Sequence, residues 1–318
     1  MNKNFKVSII IPVHNAVATI DRCVRSIIEQ SYSNIECILV ENGSNDSSLE
    51  MCKKYADNYD CIKVAISEQK GVSAARNLGL SIATGDIIGF CDADDFLEPD
   101  SISAVVSAFF KEPNIIGVIS AFYLGKETST DIRKEYKGIR KSSLDAEEAI
   151  ILAIGDSNVL GTVWNRYYRA DVAKSVLFSA DLSYSEDTHY NVQILSKNER
   201  VKISYIQKPL YCYIMNDSSA THNKDNLYDE NGELKYITAK KKILNDCKLS
   251  KKCISILKMN IAVLAIDFLW YGPTKRIQKE NLKRDIKQNF GHFIKNIWRF
   301  NFIRNIKRII KVLFVYFR

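Results

Sequence analysis

The stretch Ile87–Asp100, "IIGFCDADDFLEPD", opens as an apolar β-branched run and then places Asp92, Asp94 and Asp95 within four positions. Carboxylates this close repel one another, and they stay ionised only where a cation or strong hydrogen-bond donors sit among them. The run is expected to be a buried strand, Ile87–Cys91. Its acidic end has two readings. It is either a solvated connection into a helix over Ser101–Lys111, or a D-x-D pair of hard oxygen ligands for Mg²⁺ or Mn²⁺, ions that also hold substrate phosphates.

Upstream the same pattern recurs. Val7–Pro12, Ile35–Val40 and Ile62–Ile66 read as strands. Ala18–Gln30, Ser47–Asn58 and Val72–Ala83 read as helices between them. Apolar runs without polar alternation, separated by helices, indicate a mostly parallel sheet covered on both faces. Such α/β sheets bind ligands at the carboxyl ends of their strands, where the aspartates lie. Downstream, Ile115–Tyr123 reads as a strand, Asp145–Gly155 as a helix, and the paired runs "VKISYI" and "PLYCYIM" as two strands. "NDSSATHNKDN" is a polar loop of a kind that could close over a ligand. From about Gly232 the pattern is helical.

Other polar clusters fall at expected strand ends. "LVENGSNDSS" (Leu39–Ser48) is a turn with a helix cap at Asp46 or Ser47. "GVSAARNLGLSIATGD" carries Arg76 in a helix of small residues, either a surface arginine or a guanidinium facing phosphate or aspartate. In "YSEDTHYN", Glu186 and Asp187 are either an acidic helix start or a general base and its neighbour.

The chain has 318 residues, 46% of them hydrophobic, enough for a sizeable core. Its eight cysteines form no CxxC pair and are expected to be free thiols in a reducing compartment. "MNKNFKVSIIIPVHN" does not read as a signal peptide. No apolar run reaches the roughly 20 residues of a membrane span; "IAVLAIDFLWY" is shorter and carries Asp267. The net charge of +8 is uneven: residues 230–318 hold 21 Lys and Arg against 6 Asp and Glu. A division into residues 1–229 and a basic helical extension, 230–318, is expected. In the tail, Phe302, Ile306, Ile309, Leu313 and Phe317 form one helical stripe, with Arg304, Lys307, Arg308 and Lys311 largely off it. That pattern suits either an interfacial helix on an anionic membrane or a helix packed on the protein. No nucleic-acid-binding motif accompanies the charge.

The ordered set "VSIIIPVHNA", "SIIEQSYSNIECILVENGSNDSS", "GVSAARNLGLSIATGDIIGFCDADD", "VWNRYYRAD", "EDTHYN" and "YCYIMNDSSATH", from about Phe5 to His222, resembles the family 2 glycosyltransferases. The resemblance implies a GT-A fold, a Rossmann-like sheet with helices on both faces. It implies inverting, Mn²⁺- or Mg²⁺-dependent transfer of a hexose or N-acetylhexosamine from a UDP-sugar. The acceptor would be a glycan or a polyprenyl-diphosphate-linked hydroxyl in capsule, O-antigen or lipooligosaccharide synthesis, at the cytoplasmic face of the membrane. A non-catalytic sugar-nucleotide-binding subunit is the alternative. By the same resemblance Pro12, His14, Asn15, Glu41 and Asn42 form the base and ribose pocket, Arg76 lines the donor pocket, and Asp92, Ala93 and Asp94 are the D-x-D motif, with Asp92 near the ribose. Asp94 binds the metal that bridges the diphosphate, with Asp92 and His222 as further metal candidates; Asp187 is the base, and Glu186 beside it orients the acceptor or the site. The family often carries two aspartates where this chain has Glu41 and Asn42, and Asn42 is expected to read uracil through its amide. A nucleotidyltransferase would need a Gly-rich basic loop after the first strand, and a dinucleotide-binding dehydrogenase a GxGxxG there; "PVHNAVATID" offers neither.

Overall fold

The computed structural model describes residues 4–126, 134–136, 139–155, 161–197, 201–215, 227–272 and 274–298, with 305, 307–309 and 311–312 in the tail. The chain forms two compact units. The first comprises Met1–Ala146, Thr162–Asp181 and Asn198–Ser219; the second comprises Glu147–Gly161, Leu182–Lys197 and Ala220–Arg318. The division therefore does not fall at 229/230: two helical stretches from the middle of the chain belong with the C-terminal region.

The first unit is built on a ten-stranded sheet. In chain order its elements are β1 (Val7–Val13), α1 (Ile20–Ile28), β2 (Ile35–Glu41), α2 (Ser48–Asn58), β3 (Ile62–Ile66), α3 (Val72–Ile82), β4 (Ile87–Phe90), β5 (Phe96–Leu97), α4 (Ser101–Lys111), β6 (Ile115–Lys126), β7 (Lys134–Tyr136) and β8 (Ser143–Asp145). After α5 (Ala146–Ile154), which falls mainly in the second unit, come β9 (Arg166–Arg169) and α6 (Ala170–Ala173). Then follow α7 (Glu186–Lys197), of the second unit, and β10 (Lys202–Met215).

The sheet order is β3-β2-β1-β4-β9-β6-β10-β5. The first four strands are parallel, with Val7 opposite both Ile35 and Ile87. Val7, Ile9, Ile10, Ile11 and Val13 are all buried, as an unbroken apolar run requires between two covered faces. α3 packs on β1 and β2 through its small residues, and a Cβ on Gly79 would stand 2.4 Å from Ile10 Cγ2.

Beyond β4 the sheet is mixed. β9, not foreseen as a strand, runs antiparallel to both β4 and β6. The runs "VKISYI" and "PLYCYIM" are one strand, β10, parallel to β6. Pro209 has no N–H for a ladder, and the register shifts on both sides of it accommodate that without ending the strand.

The second unit contains α5, α7, α8 (Lys235–Asp246), α9 (Lys251–Tyr271) and α10 (Arg276–Lys295). α9 is long and apolar enough to cross a membrane, which the reading of its shorter core had not anticipated, but 61% of that apolar window is buried inside the protein. Leu282, Ile286 and Phe293 of α10 turn inward, while Lys279, Lys283, Lys287 and Lys295 are exposed. All eight cysteines are free; Cys61 alone is not fully buried.

Candidate functional site

β1 sends the chain through α1 to β2 on one side and lies against β4 on the other, so the carboxyl ends of these strands frame a topological switch point. Three loops meet there, from β1, β2 and β4.

The β1 and β2 loops are zipped together. Asn42 N–H donates to the Val13 carbonyl at 2.9 Å. His14 Nδ1 lies 2.9 Å from the Asn42 carbonyl. The Asn15 backbone N–H donates to Ser44 Oγ at 3.0 Å, and Asn45 N–H donates to Asn15 Oδ1 at 2.8 Å. Ala16 N–H reaches Ser48 Oγ, and Val17 N–H reaches Asp46 Oδ2. Asn15 sits at φ +50°, a left-handed conformation that asparagine tolerates better than most residues. Pro12 is half-buried, while His14 and Asn15 are exposed.

Glu41 is 4% exposed. Burial opposes its ionisation, but hydrogen bonds from Ser44 and Gly43 outweigh burial and hold the carboxyl below its usual value. Asn42 is 6% exposed, and both ends of its amide are engaged. Oδ1 accepts from Gly71 N–H and Nδ2 donates to the Gln69 carbonyl, each at 2.7 Å. The same amide pins the loop ahead of α3, with one N–H and one lone pair engaged. Gly71, at φ +107°, supplies a backbone conformation that side chains rarely adopt.

The β4 loop resolves the crowding of its carboxylates. Asp95 N–H donates to the Asp92 carbonyl at 3.1 Å, closing a tight turn. Along it Cys91, Ala93, Asp95 and Leu97 are buried, whereas Asp92, Asp94 and Phe96 are half-buried. Two carboxylates therefore face the open side and one faces inward. Arg76 is 3% exposed, not a surface arginine; its Nη2 lies 3.1 Å from Asp92 Oδ1, and its guanidinium sits 5.4 Å above the Phe178 ring. Asp95 is fully buried, and Tyr211 Oη and Ile214 N–H each donate to its carboxyl at 2.7 Å. Burial, reinforced by the neighbouring Asp92 and Asp94, pushes Asp95 well above the ordinary carboxyl range.

Two groups here escaped the sequence reading. Arg22 of α1 donates from Nη2 to the Asp94 carbonyl at 2.6 Å; in sequence it is one basic residue on an amphipathic helix. Tyr211 is one of several aromatics in an apolar strand. "PLYCYIM" is apolar throughout and its first four residues are all buried, so nothing in the sequence singles out the Tyr211 ring.

In the second unit Glu186 and Asp187 occupy the first turn of α7, both half-buried, where the helix N-terminus favours negative charge. Ser185 before them has φ +57°, a strained setting for a residue other than glycine. His189 is 1% exposed, with Nε2 2.9 Å from Asp246 Oδ2 of α8. His222 and the loop "NDSSATHNKDN" lie outside the described residues. Among the described residues no group of three or more His, Cys, Asp and Glu is placed to hold a metal unaided. Two half-exposed carboxylates on one turn fit Mg²⁺ or Mn²⁺, which commonly complete their shell with substrate phosphate and water.

The family model described as "Glycosyl transferase family 2" matches residues 8–177. EpsH of Bacillus subtilis, provisionally named a glycosyltransferase, is 30% identical over 238 residues, covering 73% of this chain and 67% of EpsH. The minor teichoic acid biosynthesis protein GgaA of Bacillus subtilis is 31% identical over 254 residues, covering 70% of this chain and only 55% of GgaA. Among solved structures, residues 1–349 of Staphylococcus aureus TarS in complex with UDP-GlcNAc superpose with a TM-score of 0.67 at 18% identity, covering 91% of this chain and 81% of that one.

Proposed function

The chain belongs to glycosyl transferase family 2 and has the GT-A fold, and from that premise we propose that it is an inverting, metal-dependent transferase acting on a UDP-sugar. It moves a hexose or N-acetylhexosamine to a hydroxyl of a glycan or lipid-linked acceptor in cell-surface polysaccharide synthesis. The observation that carries this reading is the Asp92–Asp95 turn at the switch point, with Asp92 and Asp94 on its open side and Arg76 beside them. The UDP-GlcNAc held by the TarS neighbour and the teichoic acid in GgaA's name support the donor and the setting.

Asp92 and Asp94 would hold the ion, and Arg76 would add a fixed positive charge for the diphosphate. A bound Mg²⁺ or Mn²⁺ supplies charge to the leaving diphosphate. Asp187 accepts the proton of the acceptor hydroxyl as its oxygen bonds to the anomeric carbon. The bond to the diphosphate breaks on the opposite face, UDP departs, and the anomeric configuration inverts. Glu186 orients the acceptor. The β1 and β2 loops wall the nucleoside, with Asn42 as the brace of that wall. The exposed lysines of α10, with Trp298 and Tyr271 at 75% and 77% exposure, favour an anionic membrane surface that would bring the enzyme to a lipid-linked acceptor.

The test is nucleotide release from a panel of UDP- and GDP-sugars with Mn²⁺ or Mg²⁺. Release from one UDP-sugar, abolished by EDTA and by Asp94→Ala, is expected. Tight donor binding without turnover in the presence of lipid-linked acceptors would favour the binding-subunit alternative; absence of any UDP-sugar binding would overturn the donor assignment.

A further inference from the structure

The inward-facing groups of the β4 turn form a closed hydrogen-bond ring. Asp92 N–H donates to Tyr211 Oη at 3.1 Å. Tyr211 Oη donates in turn to Asp95 Oδ2 at 2.7 Å. Asp95 N–H returns to the Asp92 carbonyl at 3.1 Å. A phenol can donate once and accept at the same time, and here both capacities are spent on the two ends of one turn. The ring is anchored outside the turn as well. Ile214 N–H of β10 holds the second carboxyl oxygen of Asp95. The Tyr211 ring, 1% exposed, lies stacked on Trp164 with centroids 4.5 Å apart and planes at 19°.

A buried carboxyl beside two others is costly, and a fold that needed only a tight turn would be better served there by an apolar residue. What the ring adds is direction: with Tyr211 on Asp92 N–H, Arg22 on the Asp94 carbonyl and Arg76 on the Asp92 carboxylate, the turn's orientation is fixed from three elements. We propose that Tyr211, braced by Asp95 and Trp164, is a positioning residue that sets the Asp92 and Asp94 carboxylates for the metal-bound diphosphate. The proposal rests on the reading of Asp92 and Asp94 as the metal–diphosphate site. A group that orients ligands from behind acts on metal affinity more than on the fold.

The experiment is calorimetric titration of UDP into the full chain, with and without Mn²⁺, for wild type, Tyr211→Phe, Asp95→Asn and Asp94→Ala, alongside thermal unfolding. Tyr211→Phe keeps the stacked ring and removes the bridge. It is expected to weaken Mn²⁺-dependent UDP binding about tenfold, leave Mn²⁺-free binding unchanged and shift the unfolding midpoint by only a few degrees. Asp95→Asn, which stands in should Tyr211→Phe not fold, is expected to show the same metal-specific loss. Equal weakening with and without Mn²⁺, or no weakening, overturns the positioning role while an Asp94→Ala loss keeps the site reading intact. If Mn²⁺ adds nothing to UDP binding in wild type and Asp94→Ala changes nothing, the site reading falls and the positioning role falls with it.

Discussion

Arg308 and Asp267 form a two-pronged ion pair across 41 residues, Nε to Oδ1 at 3.0 Å and Nη2 to Oδ2 at 2.5 Å. The Arg308 side chain is 4% exposed, and its Nη1 donates to Asn305 Oδ1 at 2.8 Å. Arg308 was expected on the polar side of a tail helix; instead it neutralises the one acidic residue in the apolar run of α9. Lys311 continues the contact, its Nζ 3.7 Å from the centroid of the Tyr271 ring. Among the described tail residues, the packed arrangement thus fits better than an interfacial helix lying free of the protein. Removing one partner of a buried pair costs about 3–5 kcal/mol, because the other charge is stranded. Asp267→Asn should therefore loosen the tail, seen as faster tryptic cleavage at Lys307 and Arg308 while cleavage elsewhere is unchanged.

Glu36 should govern the acid limb of stability. It lies 2% exposed in β2, where its Oε1 accepts from Ser8 Oγ and Thr84 N–H, each at 2.5 Å, and its Oε2 accepts from Lys63 Nζ at 2.8 Å. Burial alone would raise its pKa, but the bonds from Lys63, Ser8 and Thr84 prevail and hold it far below the usual value. A depressed folded pKa means that stabilisation is complete above the unfolded value, about 4.3, and is lost as pH falls through the folded one. Glu36→Gln should cost about 3 kcal/mol at pH 7. It should also flatten the decline in stability below pH 4, measured by urea unfolding across that range.

Gly79→Ala tests the seat of α3 on β1. Alanine favours the helix by about 1 kcal/mol, yet its Cβ would meet Ile10, which is fully buried and cannot move aside. Overpacking costs about 1–3 kcal/mol, so net destabilisation is expected. A double-mutant cycle with Ile10→Ala should give a coupling of about 1 kcal/mol or more. Simple additivity would contradict the packing argument.

Binding and chemistry should separate at Arg76 and Asp187. Arg76→Ala is expected to lower UDP affinity about tenfold, and lysine should not restore it, because a point charge cannot reproduce the planar fork. Asp187→Asn should leave UDP affinity unchanged and reduce transfer at least about 100-fold, the usual scale of a lost general base. Calorimetry and nucleotide release on the same samples distinguish the two.

The sequence by itself determined the parallel half of the sheet. Val7–Pro12, Ile35–Val40 and Ile62–Ile66 are mostly apolar, each broken by one polar residue (Ser8, Glu36 and Lys63), and runs without polar alternation between helices read as parallel strands; only the edge strand β3 leaves Lys63 and Ile66 exposed. It also determined that carboxylates end β4. The tertiary structure decided what long-range partners decide. β9 has only four residues, too short for a periodic signal, and exists because β4 and β6 flank it. β10 survives Pro209 because β6 absorbs the shift in register. The same holds in the site. Asp92, Asp94 and Asp95 are alike in sequence, but Tyr211 and Ile214, 116 and 119 residues beyond Asp95, draw it inward and leave the other two outward. Asn42 reads in sequence as part of a turn, and the backbone at Gln69 and Gly71, 27 and 29 residues on, decided where its amide is tied. Periodicity reports which side of an element is buried; which buried polar group meets which partner is set only when distant strands close on one another.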